Sequence, residues 1–418
     1  MLLGVIADDF TGATDIASFL VENGMRTVQL NGIPQQKMDV SVDAVVISLK
    51  SRSCPVEQAI SDSVTALKWL QANGCQQFYF KYCSTFDSTA QGNIGPVTDA
   101  LLAELDQDFT VVCPALPING RTVYNGHLFV FQDLLSDSGM RHHPVTPMTD
   151  SSLIRMMDSQ SQGSTGLVNF QVIEQGSSAV IKRFAELKQQ GKRYAVVDAF
   201  NSNHLAILGQ AVQSLKLVTG GSGLAAGIAK NWLEHLEDQT QAKQVGKPTK
   251  APTVVFSGSC SVMTNHQVEV YKSKAPHIAI NVQACMTDDG YINQLFDWVI
   301  SNLDGEFAPL IYATTDAPAL KEIQQQFGAH QSSQAVEYLF SQLASRLQQY
   351  GVKNFIVAGG ETSGVVTQSL NVKGFHIGPQ IAPGVPWVKS LQGELSLALK
   401  SGNFGDENFF VKAQSFFA

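Results

Sequence analysis

What the chain is short of narrows its function first. Charged residues make up 15% of its 418 residues, where about 25% is usual. Cations are scarcer than anions, 28 Lys and Arg against 36 Asp and Glu, which leaves a net charge of −8. That balance excludes a general role on nucleic acid or on an anionic membrane surface, both of which need a basic field. An anionic substrate would have to be met by a few placed cations and by backbone N–H groups. The six cysteines (Cys54, Cys75, Cys83, Cys113, Cys260 and Cys285) form no CxxC pair and no Cys/His cluster at zinc spacing. This reads as the reduced thiols of a cytoplasmic protein. Long apolar runs are missing as well. No stretch approaches about 20 uncharged apolar residues, so no spanning helix is expected. The first apolar run has no basic stretch before it and stops at Asp8, unlike a secretory signal. A Walker-type GxxxxGK[ST] loop, an internal repeat and a low-complexity tract are all absent.

What is present fits a globular enzyme. Hydrophobic residues make up 44% of the chain and mean hydropathy is +0.01. The length exceeds one comfortable core and points to two domains. Short apolar runs at 2–7, 27–30, 44–49, 77–82, 109–113, 166–170 and 194–198 alternate with helical periodicity, as at 56–73 and 178–190. Such alternation predicts a parallel sheet covered on both faces. The exception is TVYNGHLFV at 122–130, where Asn125-Gly126 between alternating residues predicts a hairpin. Residues 239–252, QTQAKQVGKPTKAP, are polar and aperiodic and read as a linker. After it the alternation restarts, with strands expected at 253–257, 278–281, 310–314, 354–358 and 374–377. Helices are expected at 262–273, 292–303 and 334–350. The reading is therefore α/β: two three-layer α/β domains with mainly parallel sheets, 1–238 and 253–418, and an active site in the cleft between them.

The organising stretch is LLGVIADDFTGATD at 2–15. An apolar strand ends on Asp8 and Asp9, and a helix follows Thr11 and Gly12. Ligands gather beyond the carboxyl ends of parallel strands. Capping the helix explains one acid but not the second. Three further loops after strands carry more polar residues than turns need: Lys50 to Ser53 with Arg52, KYCSTFDST with Lys81, Ser84, Thr85 and Asp87, and PALPINGRTVYNGHLFV with Arg121. Guanidinium and ammonium groups beside hydroxyls suit a small carboxylate-bearing polyol. In the second half, Ser257-Gly258-Ser259 follows one strand and Gly359-Gly360-Glu361-Thr362 follows another, each opening a helix. A third loop, 400–406, contains Asn403. A glycine loop between strand and helix aims free N–H groups at an anion, so this half reads as a nucleotide site. GGSGLAAG at 220–227 offers a competing dinucleotide loop and hence an NAD(P) oxidoreductase. It lacks the GxGxxG spacing and the ribose-binding acid. A non-catalytic two-lobed binding protein is the other alternative.

ADDFTGATD, KYCSTFDST followed by GNIGP, and HPVTPMTDS resemble the four-carbon acid sugar kinases, ATP-dependent enzymes acting on aldonic and ketoaldonic acids. The resemblance runs nearly end to end. It implies that the first half binds the sugar acid and the second half ATP, with Ser257, Gly360, Glu361, Thr362 and Asn403 in the matching motifs. On this basis Asp8 orients or deprotonates the accepting hydroxyl, and Arg52 or Lys81 meets the substrate carboxylate. Asp9 or Glu361 holds Mg²⁺. The expected partners are a small sugar acid and ATP, with no nucleic acid and no membrane; a homodimer is allowed.

Overall fold

The computed structural model describes residues 1–36, 42–143, 145–232 and 242–417. They divide into two compact units, Met1–Ala242 and Lys243–Ala418. Among the described residues, no helix is long and apolar enough to cross a membrane.

The first unit is built on β1 (Leu3–Ala7), β2 (Thr27–Asn31), β3 (Ala44–Ser48), β4 (Gln77–Lys81), β5 (Thr110–Cys113), the hairpin strands β6 (Arg121–Tyr124), β7 (His127–Val130) and β8 (Asp133–Leu134), and β9 (Thr165–Val168), β10 (Tyr194–Val197) and β11 (Leu217–Gly220). Its helices are α1 (Phe10–Glu22), α2 (Val56–Ala72), α3 (Ile94–Glu104), α4 (Leu153–Gln160), α5 (Phe170–Ile173), α6 (Ser177–Gln189), α7 (Ser202–Ala211) and α8 (Gly223–Asn231). The sheet order is β2-β3-β1-β4-β11-β5-β10-β9, and every pairing in it is parallel. All five residues of β1, β3 and β4 are buried. Burial on both faces is why these strands read as continuous apolar runs rather than alternating ones. The expected hairpin is there, as β6 and β7 pair antiparallel around Asn125-Gly126 with β8 at its edge. Both turn residues take positive φ, 47° and 73°, as a two-residue hairpin turn demands.

The second unit contains β12 (Thr253–Ser257), α9 (Val262–Lys272), β13 (His277–Ala279), α10 (Val282–Thr287), α11 (Tyr291–Ser301), β14 (Leu310–Tyr312), α12 (Ala317–Phe327), α13 (Ala329–Tyr350), β15 (Asn354–Ala358), α14 (Gly360–Ser369), β16 (Gly374–Ala382), β17 (Val385–Ser390), β18 (Ser396–Lys400) and α15 (Phe409–Gln414). Its sheet runs β13-β14-β12-β15-β18-β17-β16. The first five strands are parallel, and β17 runs antiparallel to both β18 and β16. Part of the stretch expected to be a linker, 239–241, lies outside the described residues. Ala242 closes the first unit, and 243–252 belong to the second: Asn354 donates to the Thr249 carbonyl at 2.9 Å, and a Cβ on Gly246 would lie 2.2 Å from the Gly378 nitrogen.

Both sheets have a switch in strand order where a crossover changes direction. In the first unit the chain leaves β1 for β2 and β3 on one side, then returns to β4 on the other. In the second it leaves β12 for β13 and β14, then returns to β15. Ligands of open α/β sheets collect at such points.

Candidate active site

Parallel register converts the first switch point into a cluster of side chains. Ala7 lies opposite Ser48 on one side and Lys81 on the other, so the loops after β1, β3 and β4 leave the same edge together. Backbone bonds tie them: the Asp8 N–H donates to the Lys81 carbonyl at 3.0 Å, and Ser51 N–H to the Asp8 carbonyl at 3.0 Å. Arg52 then forks onto Asp8, Nε to Oδ2 at 2.9 Å and Nη2 to Oδ1 at 2.8 Å, while Nη2 also reaches Asp9 Oδ1 at 2.7 Å. Asp87 stands 3.8 Å from Nη1 and accepts from the Thr85 hydroxyl at 2.6 Å. Between them Phe86 is buried at φ 61°. A left-handed aromatic residue is costly and marks a loop shaped for something other than stability.

The two leading acids are electrostatically unequal. At Asp8, burial raises the carboxyl above its ordinary range in spite of the Arg52 fork. At Asp9, burial is outweighed by Arg52, Lys81 and bonds from Thr11 and Gly12, which hold its carboxyl below the usual range. Asp9 is also the cap of α1, accepting from Gly12 N–H at 3.0 Å. So Asp8 holds a proton more readily than Asp9, the kind of split that separates a proton acceptor from a fixed anion.

The substrate-side cations sort differently from the expectation. Arg52, expected as a clamp for the substrate carboxylate, is already occupied by Asp8 and Asp9. Lys81 is buried, and its Nζ donates to the Tyr82 carbonyl at 2.9 Å. Arg121 uses Nη1 on the Asn119 carbonyl, packs over the Phe131 ring at 5.4 Å, and leaves its buried Nε unpartnered. Lys81 and Arg121 therefore keep donors to spare. Ser84 is half-buried beside the Cys83–Thr85 contact of 2.9 Å.

Two residues of this cluster escaped the sequence reading. Asp15, on the second turn of α1, is 7% exposed and accepts from the Ser222 hydroxyl, and its Oδ1 is buried without a partner. Burial pushes its carboxyl up to about 6, against the pull of Lys81. Ser222 belongs to GGSGLAAG, whose glycines are accounted for by packing. A Cβ on Gly220 would sit 2.4 Å from the Cys113 carbonyl, on Gly223 2.4 Å from that of Ala115, and on Gly227 2.1 Å from that of Leu205. The loop is a close crossing of β11, α7 and α8, not a dinucleotide cradle. Asp198, another acid after a strand, spends its oxygens on the N–H groups of Asn125, Gly126 and Phe170 and so anchors the hairpin.

In the second unit, Ser257, Ala358 and Lys400 are in register at the ends of β12, β15 and β18, so three loops meet at one edge. They pack closely. A Cβ on Gly258 would lie 2.1 Å from Thr362 Oγ1, and on Gly402 2.7 Å from Ser259 Oγ. Gly359 adopts φ 126°, which only glycine tolerates well. The loops differ in what they leave open. The N–H groups of Gly258 and Ser259 donate to the Ala358 carbonyl, the Ser257 hydroxyl meets Thr314 at 2.6 Å, and Ser261 caps α9. By contrast α14 has no side-chain cap. The first-turn N–H groups of Gly360, Glu361 and Thr362 are thus the open anion donors. Glu361 and Asn403 are exposed beside them. Next to this helix head is a pocket of about 120 Å³, polar at Glu361 and Thr362 and apolar at Val282, Leu320, Ile323 and Val336. It has the shape of chemistry that suits a flat base beyond a phosphate.

Comparison with known proteins accords with this division of labour. A model of a sugar-binding N-terminal domain matches residues 3–228, and one of a nucleotide-binding C-terminal domain matches residues 254–410. The 3-oxo-tetronate kinase of Haemophilus influenzae is 60% identical over 416 residues, covering 100% of each chain. That of Escherichia coli is 59% identical over 384 residues, 91% of this chain and 98% of the relative. This chain belongs to the four-carbon acid sugar kinase family. A solved Salmonella typhimurium protein described as a putative tRNA synthase superposes with a TM-score of 0.94 at 57% identity, over 100% of this chain and 99% of that one. Within the kinase family's two domains, the Asp8 cluster falls in the sugar-binding match and the three glycine loops in the nucleotide-binding match.

Proposed function

We propose that this chain is an ATP-dependent kinase that phosphorylates the terminal C4 hydroxyl of 3-oxo-tetronate, giving 3-oxo-tetronate 4-phosphate. The observation that carries the reading is the near-complete match, at about 60% identity, to 3-oxo-tetronate kinases. Beside it stands the acid pair at the first switch point, with open anion donors at the second. The sugar acid lies on the first unit, its carboxylate against Lys81 and Arg121. Arg52 holds Asp8 and Asp9 in place instead of clamping substrate. Asp8, raised by burial, accepts the proton of the C4 hydroxyl as the bond to phosphorus forms. Thr85, Asp87 and Ser84 read the remaining oxygens. ATP lies on the second unit with its phosphates at the head of α14 and its base in the adjoining apolar pocket. Mg²⁺ needs only one or two protein carboxylates alongside phosphate oxygens; the exposed Glu361, beside the open N–H groups, fits that demand better than the capping Asp9. When bound, the metal neutralises phosphate charge. Transfer requires the hydroxyl and the γ-phosphorus to meet in line with water excluded.

The test is ADP release from ATP and Mg²⁺ with 3-oxo-tetronate, threonate and erythronate in parallel. Turnover confined to threonate or erythronate would replace the substrate but keep the class. Tight NAD(P) binding without ADP release would overturn the class.

A further inference from the structure

Lys400 ends β18 at the edge where the three loops of the second unit meet, and its side chain is fully buried. The Nζ donates to Thr264 Oγ1 at 2.9 Å, the Gly402 carbonyl at 2.8 Å and the Ser401 carbonyl at 3.1 Å, which uses all three donors of an ammonium. Thr264 in turn donates to the Gly402 carbonyl at 2.7 Å. This one amine therefore joins the loop after β18 to the first turn of α9, while the Lys400 carbonyl accepts from Gly359 N–H at 2.9 Å in the loop after β15.

No carboxylate answers its charge among the described residues. From α9 it faces the Thr264 hydroxyl, from its own loop two carbonyls, and from α15 the Phe409 ring at 6.0 Å. The nearby Asp406 is engaged by Lys412, and Glu361 at the head of α14 is turned to solvent. A buried cation without a counter-ion is costly unless the site supplies an anion at some stage of its work. Burial alone pulls the Lys400 amine down to about 7.

We propose that Lys400 is the positioning residue of the nucleotide site and its built-in cation: it pins the 401–405 loop to α9 and holds a positive charge that the nucleotide phosphates complete. This deepens the nucleotide reading of the second unit and rests on it. Near neutral pH, an anion bound at the edge of these loops acts on the buried charge through the loop that Nζ holds and draws a proton from the buffer onto Nζ, with no other bond made or broken.

The measurement is calorimetric titration of ADP into the full chain, in buffers of differing ionisation enthalpy, from pH 6.5 to 8.5. Wild type should take up roughly 0.4 of a proton per ADP at pH 8, and Lys400→Met should take up none of that share. The ADP Kd of Lys400→Met should be about tenfold weaker at pH 6.5, closing toward wild type by pH 8.5 as the native amine loses its charge. A gap constant across pH would make Lys400 a structural strut only and overturn the proposal. Lys400→Gln repeats the comparison if the methionine variant does not fold. Wild-type ADP binding without proton uptake overturns the proposal with no variant needed. Absence of ADP binding in wild type would overturn the nucleotide reading itself.

Discussion

At the scale of single residues, the site's chemistry rests on unequal treatment of like groups. Asp8 and Asp9 are neighbours in sequence, yet burial lifts one and a cap with two cations lowers the other. A base that accepts a proton only as the new bond forms acts in the transition state, typically ~10²–10⁴-fold in rate. Asp8→Asn keeps the shape and removes the basicity. Steady-state kinetics should show kcat falling at least ~10²-fold with the sugar-acid KM changed less than about tenfold. A climbing KM with kcat preserved would make Asp8 a binder. Asp15 gives a second test with the opposite sign. Its folded-state carboxyl is raised to about 6 from 3.8, so the native state favours the protonated form. Its contribution is fully present below about pH 4 and is lost as pH rises through 6, a swing of about 3 kcal/mol. Asp15→Asn keeps a partner for Ser222 and escapes that loss. Its denaturant midpoint should match wild type near pH 4 and exceed it at pH 8; equal stability at both would show that Asp15 is not strained. Asp8 was legible because an acid directly after an apolar strand is conspicuous. Asp15 was not, because α1 is buried nearly all round and its periodicity gives no polar face against which a buried acid stands out. Lys81 and Lys400 share a signal that can be read: each ends a buried strand of the sheet interior.

At the scale of elements, the parallel strands were legible because two covered faces produce unbroken apolar runs, and the hairpin because Asn-Gly has few other uses. The turn back was legible only at the start of β16, over 374–377, and β17 was not. Pro379, Pro383 and Pro386 break the pattern there, and the register of β16 against β17 shifts near Gln380, as proline within a sheet requires. The α12 helix was also missed, since Ala317-Pro318 reads as a loop although proline is at home in a first turn. Glycines with different neighbours should fail differently. Gly258→Ala places a Cβ 2.1 Å from Thr362 Oγ1, so it should raise the KM for ATP severalfold while leaving the KM for the sugar acid unchanged. Gly227→Ala drives α8 into the Leu205 carbonyl of α7. Overpacking of this kind costs about 1–3 kcal/mol, so Tm should drop while the KM for ATP holds. A large loss of nucleotide affinity in Gly227→Ala would revive GGSGLAAG as a ligand loop.

At the scale of the whole molecule, two units that each switch strand order are proposed to carry the two substrates of one reaction. Each uses a switch point in strand order; one is lined with carboxylates and cations, the other with glycine and open N–H groups. Ground-state binding of each substrate should then depend on one unit alone, whereas the transition state depends on both. The consequence is measurable without turnover. Asp8→Asn should bind ADP with the wild-type Kd, and Gly258→Ala should bind the sugar acid with the wild-type Kd. In kcat/KM the losses of the double variant should multiply, since changes without shared partners add in free energy to within about 0.5 kcal/mol. Losses well short of the product would mean that the acid cluster and the phosphate loops act as one unit, as residues of a single catalytic constellation do. ADP affinity weakened by Asp8→Asn alone would place a nucleotide contact on the first unit and undo the division of labour on which the mechanism stands.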